Sequence, residues 1–403
     1  MTKKFLIRFV AALLIVAGLS IAGFAAFKSS DRAEQNLVFA DRTLLTGLWD
    51  NYKKIYWESG SGRTLDKQQN DITTSEGQSY TMMRAVWQSD RATFDKSWEW
   101  TQEQLQREDN LFAWKWGLKP DGTYGILTDQ GGQNTASDAD SDIAVALLMA
   151  ANKWQEKSYL DDAKEIIPSM WDEEVITVQG KPYLVGNNLE KDSAQPAIIN
   201  VSYLSPYAYR LFAKVDKQHD WNALVDSSYE ILNRSMEENL DKSSSVNLPP
   251  DWIGMNKQTG EINAISGSAN LTTNYSYDAM RTPWRLALDY QWNKEPRAKA
   301  TVEKMSFLKD QWQDTGKIYS TYSHDGQTVK TDEVAEGYAT ALAYFSVVEP
   351  DIAKDIYDKK LKTLYDQNTN SWSKEMTYYG DNWTWLGIAL YDKKLDNLAE
   401  TLN

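Results

Sequence analysis

The chain has 403 residues, 42% hydrophobic and 25% charged, with a formal charge of −14, no cysteine and two histidines. That acidity repels phosphate backbones and argues against nucleic acid as a partner. Without cysteine there are no disulfides, thiol nucleophiles or thiolate metal sites, and two histidines are too few for a histidine metal site or triad, so neither metal nor cofactor is expected.

Lys3, Lys4 and Arg8 precede an uncharged run from Phe9 to Phe27. About twenty apolar residues span a bilayer, whereas the apolar core of a signal peptide is usually about 7–15. Residues 1–28 are therefore expected to form an uncleaved membrane anchor. The positive flank stays inside and everything after Lys28 lies outside the cell. Small residues at Ser20, Ala22, Gly23 and Ala25 leave the alternative of cleavage and secretion. No composition shift divides the rest, so residues 29–403 are expected to be one domain, acting as a monomer.

Apolar periodicity predicts helices over 32–56, 75–88, 91–108, 137–155, 157–168, 203–214, 220–239, 277–292, 296–314, 331–347, 350–365 and 380–391. They fall into six pairs. Long connections separate one pair from the next, at 57–74, 109–136, 169–202, 240–276, 315–330 and 366–379. Loops of this length are often functional. Short strands are predicted as a hairpin turning at Gln179–Pro182, and near Ile262–Ile265 and Ile318–Tyr322. The pattern implies an all-α toroid of helical hairpins with its long loops gathered on one end.

Within this order, three acids stand at helix starts that follow long loops. Ser75 with Gln78 reads as a capping box, which puts Glu76 at the first helical position. Ser137 with Asp140 reads as a second cap, with Asp138 in the equivalent place. Ser276 reads as a third, with Asp278 in the first turn and Arg281 one turn later. The helix dipole accounts for any one acid at such a position. It does not account for three in segments rich in Tyr, Ser and Gly. The alternation Asp138, Asp140, Asp142 also suggests a calcium loop. That loop needs Gly at its sixth position and Glu at its twelfth, where this chain has Ile143 and Met149.

Glycosidic cleavage needs one protonated and one ionised carboxyl group. Asp138 is placed to keep Glu76 protonated, and Arg281 to keep Asp278 ionised. The composition agrees: 17 Trp and 22 Tyr stand against 10 Phe. These rings combine a flat apolar face with a polar edge, which is what a sugar's C–H face and hydroxyls require.

The stretch A-S-D-A-D-S-D-I-A-V-A-L-L-M-A-A-N-K-W at 136–154 resembles the signature of glycoside hydrolase family 8. The resemblance covers most of residues 40–391. It implies an (α/α)6 barrel and a polysaccharide substrate. It also implies roles for the acids. Glu76 of S-E-G-Q is the proton donor, and Asp138 binds the sugar at the cleavage point. Asp278 of Y-D-A-M-R activates water, with Arg281 in support. The segments N-V-S-Y-L-S-P-Y-A-Y-R at 200–210 and L-P-P-D-W at 248–252 look like family segments, the first placing Tyr203 near the base. Val201 and Thr81 depart from the family pattern, which has Pro and Gly there. Trp116, Tyr277, Tyr379 and Trp383 are the candidate sugar-stacking rings.

The leading expectation is an inverting endo-hydrolase of a β-1,4-linked polysaccharide: cellulose, mixed-linkage glucan, xylan, chitosan or the producer's own exopolysaccharide. One alternative is a non-catalytic polysaccharide-binding or chain-guiding protein on the same fold. Another is a polysaccharide lyase, which suits so acidic a protein poorly because its substrate is an anionic uronate polymer.

Overall fold

The computed structural model describes residues 44–402 except Gln195. The expected anchor at 1–28 lies outside the described residues. Among those described, no helix is long and apolar enough to cross a membrane.

Six helices form an inner ring: Ser75–Trp87, Ser137–Trp154, Pro206–Val215, Thr282–Asn293, Ala335–Val348 and Tyr378–Tyr391. Each packs against the next, and the last returns to the first. They are buried on nearly every face; in the second, every residue from Ser137 to Ala151 is buried. A helix buried on most of its faces belongs inside a fold; Pro206–Val215 among them turns charged side chains, Arg210 and Lys214, toward the surface. Small residues let the inner helices approach closely. A Cβ on Gly387 would lie 2.3 Å from the carbonyl oxygen of Ala339, so the last two inner helices touch backbone to backbone.

The outer layer is amphipathic. It comprises the helix over 44–56, Arg91–Leu105, Lys157–Glu174, Trp221–Glu237, Pro296–Glu303 and Pro350–Ile356. Five of these pack on the inner helix that precedes them. The helix over 44–56 instead joins the last inner helix to the first. Trp385 Nε1 donates to the carbonyl of Leu45 at 2.9 Å, and the Tyr52 and Thr81 hydroxyls share a 2.8 Å bond.

Every inner helix is entered from one of the long connections, so all six inner N-termini face one end. The connections carry five small antiparallel sheets among the described residues. The Val175–Val178 and Lys181–Leu184 hairpin falls where the sequence places it. Short strands also stand at Ile262–Asn263 and Thr321–Tyr322, where the sequence places them, whereas Thr73–Thr74, Lys115–Leu118, Tyr124–Ile126, Ala197–Asn200 and Trp252–Met255 join sheets that no local pattern reveals.

Several helix limits differ from the sequence reading, each for a physical reason. The helix predicted to stop at Pro168 runs on to Glu174. Burial of Ile166, Ile167 and Met170 around the proline outweighs one lost helical hydrogen bond. The stretch 296–314 is two helices, broken where Met305 turns into the core. The stretch 350–365 continues past Ile356 as a π turn over Tyr357–Leu361 and a 3-10 turn over Lys362–Leu364.

Candidate active site

The caps at the inner helix starts are not those the sequence suggests. Thr74, not Ser75, caps the first inner helix: its Oγ1 accepts from Gly77 N at 3.0 Å. Gln78 turns away and bonds Thr64 N and Thr101 Oγ1 instead. Ser137 is the first residue of its helix rather than its cap, and its hydroxyl donates to the carbonyl of Val185 at 2.6 Å. Asp140 Oδ1 accepts from Phe112 N at 3.0 Å, in a neighbouring loop. Glu76 and Asp138 thus occupy the same place, the second residue of an inner helix.

Asp278 lies outside a helix. It precedes a 3-10 turn, Ala279–Arg281, and the inner helix begins at Thr282. Asp251 is the reason. Its buried carboxylate accepts from Ser276 N at 3.1 Å and Ala279 N at 2.8 Å. Those donors would otherwise be orphans of a helix start, and capturing them bends the chain.

Arg281 brings the three acids together. Its Nη1 donates to Glu76 Oε2 at 3.0 Å and to Asp138 Oδ2 at 3.0 Å, and its Nη2 donates to Asp278 Oδ1 at 2.6 Å. Nε is held by Ser202 Oγ at 3.1 Å, and the ring of Tyr203 lies under the guanidinium at 5.2 Å. The remaining oxygens are also fixed. Tyr378 O–H donates to Glu76 Oε1 at 2.7 Å. Trp252 Nε1 donates to Asp278 Oδ2 at 3.0 Å. Sequence reasoning missed Tyr378, Trp252 and Asp251. Trp252 and Asp251 stand in the quoted L-P-P-D-W segment, and Tyr378 sits beside the chosen Tyr379.

One guanidinium cannot neutralise three carboxylates, so the cluster favours holding a proton. Asp138 keeps 1% of its surface, while the Glu76 side chain keeps 22%. Burial pushes the Asp138 carboxyl up to about 7; Arg281 opposes this, and the nearby Glu76 adds to it. The sequence reading expected the upward push on Glu76. Asp138 carries an upward push of its own, because that group is taken out of water.

Two other buried carboxyls behave alike. Burial lifts Glu174 to about 7 against its bonds to Asp140 and Thr135. Burial and the neighbouring Asp278 lift Asp251 to about 7. Such groups stabilise the fold while protonated. Their contribution is whole below the unfolded value near 4 and is lost as pH rises through about 7. Glu295 has the opposite sign: bonds from Arg297 lower it to about 2. Its contribution is complete above the unfolded value and is lost as pH falls toward 2. The melting temperature is therefore expected to peak near pH 4 and to drop by on the order of 5 °C by pH 8. A scanning-calorimetry series across that range checks it, and a flat or rising profile would refute the assignment.

Of the proposed stacking rings, Tyr277 stands open, 40% exposed. Tyr379 touches its ring edge and donates its hydroxyl to the Tyr277 carbonyl. Trp116 is not open: it is buried, stacked on Tyr124 at 5.2 Å and flanked by Trp100. Tyr124, 58% exposed, is the accessible ring of that pair. Trp383 is core, with its indole N–H on Tyr80 OH at 3.0 Å. Among the described residues no group of acids and histidines has the arrangement to hold a metal.

Known proteins resemble the chain along most of its length. The endoglucanase of Pseudomonas fluorescens (strain SBW25) is 32% identical over 241 residues, and the match spans 58% of each chain. Endoglucanase 2 of Ruminiclostridium josui is 27% identical over 353 residues, 84% of this chain and 68% of that one. The crystal structure of an endo-1,4-D-glucanase from Vibrio fischeri ES114 superposes with a TM-score of 0.70 at 24% identity, covering 86% of this chain and 94% of that one, and shares its fold. The model of Glycosyl hydrolases family 8 matches residues 25–394, and the chain belongs to that family.

Proposed function

We propose that the protein is an endo-acting glycoside hydrolase that cleaves a β-1,4-linked polysaccharide with inversion at the anomeric carbon. The observation that carries this is the single guanidinium of Arg281, which joins carboxyl groups from two inner-helix starts and from the turn that leads into a third inner helix. Relatives named endoglucanases favour an internal cut in a β-glucan over xylan or chitosan.

Asp278 is the base. It takes a proton from the water that attacks the anomeric carbon, while the bond to the leaving oxygen breaks and Glu76 gives that oxygen a proton. Arg281 and Trp252 each hold one Asp278 oxygen and so aim the carboxylate. Asp138 receives the sugar at the cleavage point. A sugar seated over Glu76 strips its remaining water contact and favours its protonated form, so the cluster's proton is drawn onto Glu76. Tyr203 supports the guanidinium from below, and Tyr277 offers a stacking face beside the base.

Inversion needs room for a water, with the two carboxyl groups about 6.5–9.5 Å apart against about 5–5.5 Å for retention. Glu76 and Asp278 bond different terminal nitrogens of one planar guanidinium. Their bonded oxygens are therefore kept apart by its width, with an upper limit of about 8 Å. That limit admits the inverting separation, and the order in which the product anomers appear decides between the two outcomes.

The same reading places the catalytic domain outside the cell, tethered by the apolar run from Phe9 to Phe27. One assay tests cut and location together: reducing ends and viscosity are followed on a soluble β-1,4-glucan with membrane and soluble fractions of the producing cell. A steep viscosity fall at low reducing-end yield, carried by the membrane fraction, is expected. Release of monosaccharide from chain ends would overturn the endo assignment. Unsaturated products absorbing in the ultraviolet would replace it with a lyase, and soluble activity would overturn the tether.

A further inference from the structure

Two residues along the helix from Asp138 stands a pair of carboxyl groups that the chemistry above does not use. Asp140 is the fourth residue of the inner helix Ser137–Trp154, and Glu174 is the last of the outer helix Lys157–Glu174. Both side chains are wholly buried and lie within hydrogen-bonding reach of one another. Each has one oxygen satisfied. Asp140 Oδ1 accepts from Phe112 N at 3.0 Å, and Glu174 Oε1 accepts from the Thr135 hydroxyl at 2.6 Å. The other two, Asp140 Oδ2 and Glu174 Oε2, are buried and receive no N–H or O–H.

The charged groups that face the pair are acids. Asp138 stands on the same helix, and Asp109 on the connection before it, already paired with Arg107. Arg281 and Arg285 are taken by Asp138 and Asp142. Tyr209, from the inner helix Pro206–Val215, brings only a neutral hydroxyl, which accepts from Ser205 N. Two ionised carboxylates face to face out of water, with no counter-charge, repel strongly. One proton between the facing oxygens removes that repulsion and supplies the missing donor.

The pair also sits in a knot that sets the start of the Asp138 helix. The Glu174 carbonyl accepts from Val185 N at 2.9 Å, and the Val185 carbonyl accepts from the Ser137 hydroxyl at 2.6 Å. Thr135, which donates to Glu174, accepts in turn from Asn188 N at 2.9 Å. The bond from Phe112 to Asp140 fastens to the same helix the connection that carries Trp116 and Tyr124.

We propose that Asp140 and Glu174 share a single proton, and that this bridge makes them positioning residues for the reaction: it holds the first turn of the Asp138 helix, and with it the Asp138 carboxyl, where the sugar is received. It rests on the reading of the acid cluster as a glycan-cleaving site. Loss of the proton to solvent leaves two buried carboxylates that push the helix start away from the end of the outer helix. Burial raises both groups, in keeping with a proton held through the acid range and up to neutral pH.

The test replaces the proton by an amide. In Glu174→Gln the side-chain oxygen still accepts from Thr135 while the N–H₂ group donates to Asp140 Oδ2, so the bridge survives at every pH. Rates are followed from pH 6 to pH 9 on an aryl glycoside whose leaving phenolate needs no proton, which removes the demand on Glu76. Melting temperatures are taken from pH 4 to pH 9. The parent's kcat/KM is expected to fall by about fivefold or more at the alkaline end, and the variant's by about half that or less. The alkaline fall in melting temperature is expected to be shallower in the variant by about a third, since one buried group that must lose a proton is gone. If Glu174→Gln does not fold, Asp140→Asn decides: its oxygen accepts from Phe112 N and its N–H₂ group donates to Glu174 Oε2. A rate profile or a melting profile that superimposes on the parent's in the deciding variant overturns the bridge. Failure of both amides to fold also overturns it, because an amide reproduces each hydrogen bond of the shared proton. A parent inactive at every pH overturns the glycan-cleaving reading and the positioning role with it.

Discussion

Asp278→Asn is expected to lower turnover by about 10³-fold or more while oligosaccharide binding survives. The carboxylate is the group at that position that accepts a proton from water. Its two oxygens face two donors, the Arg281 guanidinium at Oδ1 and the Trp252 indole at Oδ2. An asparagine matches the shape but presents one oxygen and one N–H₂. One of the two donors then meets another donor, and a bond worth about 1–3 kcal/mol is lost. A small fall in melting temperature should accompany the loss of rate. The two readouts separate the roles, because local loosening alone would raise KM along with the drop in kcat. Steady-state kinetics on a soluble glucan and a thermal melt check it. Near-normal kcat in a folded variant would remove Asp278 from the role of base.

The second large effect belongs to the proton donor. Glu76→Gln is expected to be inactive on the natural polymer, since an amide cannot protonate a sugar leaving group. It should recover rate on an aryl glycoside whose leaving phenolate needs no proton. The glutamine can keep one of its two bonds, to Tyr378 or to Arg281, so the cleft is expected to hold its shape. Side-by-side rates on polymer and aryl substrate give the contrast. Equal losses on both would mean that Glu76 positions the substrate and does not donate the proton.

The site was legible where it depends on local sequence. Glu76 and Asp138 stand at the second position of buried helices because apolar runs begin there, and that is a one-dimensional pattern. Asp278 was legible as a residue but not as a conformation. The sequence predicts a capped helix from Ser276, whereas Asp251 captures the N–H groups of Ser276 and Ala279 and delays the helix to Thr282. No local rule contains a partner some twenty-five residues away. Trp252 and Tyr378 were missed for the same reason, since the first reaches Asp278 from a strand well before it and the second reaches Glu76 from the start of the last inner helix. The two capping boxes failed because tertiary partners took the polar side chains: Thr64 and Thr101 took Gln78, Val185 took Ser137, and Phe112 took Asp140. Trp116 failed because Tyr124, eight residues on, folds back and covers it. Burial also pushes the Asp138 carboxyl up, and depth in a fold is not written at any single position.

The central claim is that Asp278 activates a water held between itself and the anomeric carbon, with Glu76 opposite. Proton NMR in the first seconds of digestion of a β-linked oligosaccharide tests it most directly, before mutarotation mixes the anomers. The account predicts the α-anomeric signal at the new reducing end first, with the β signal following as the sugar equilibrates. A β signal appearing first would contradict it, because the product would then have passed through a covalent intermediate on one of these carboxylates.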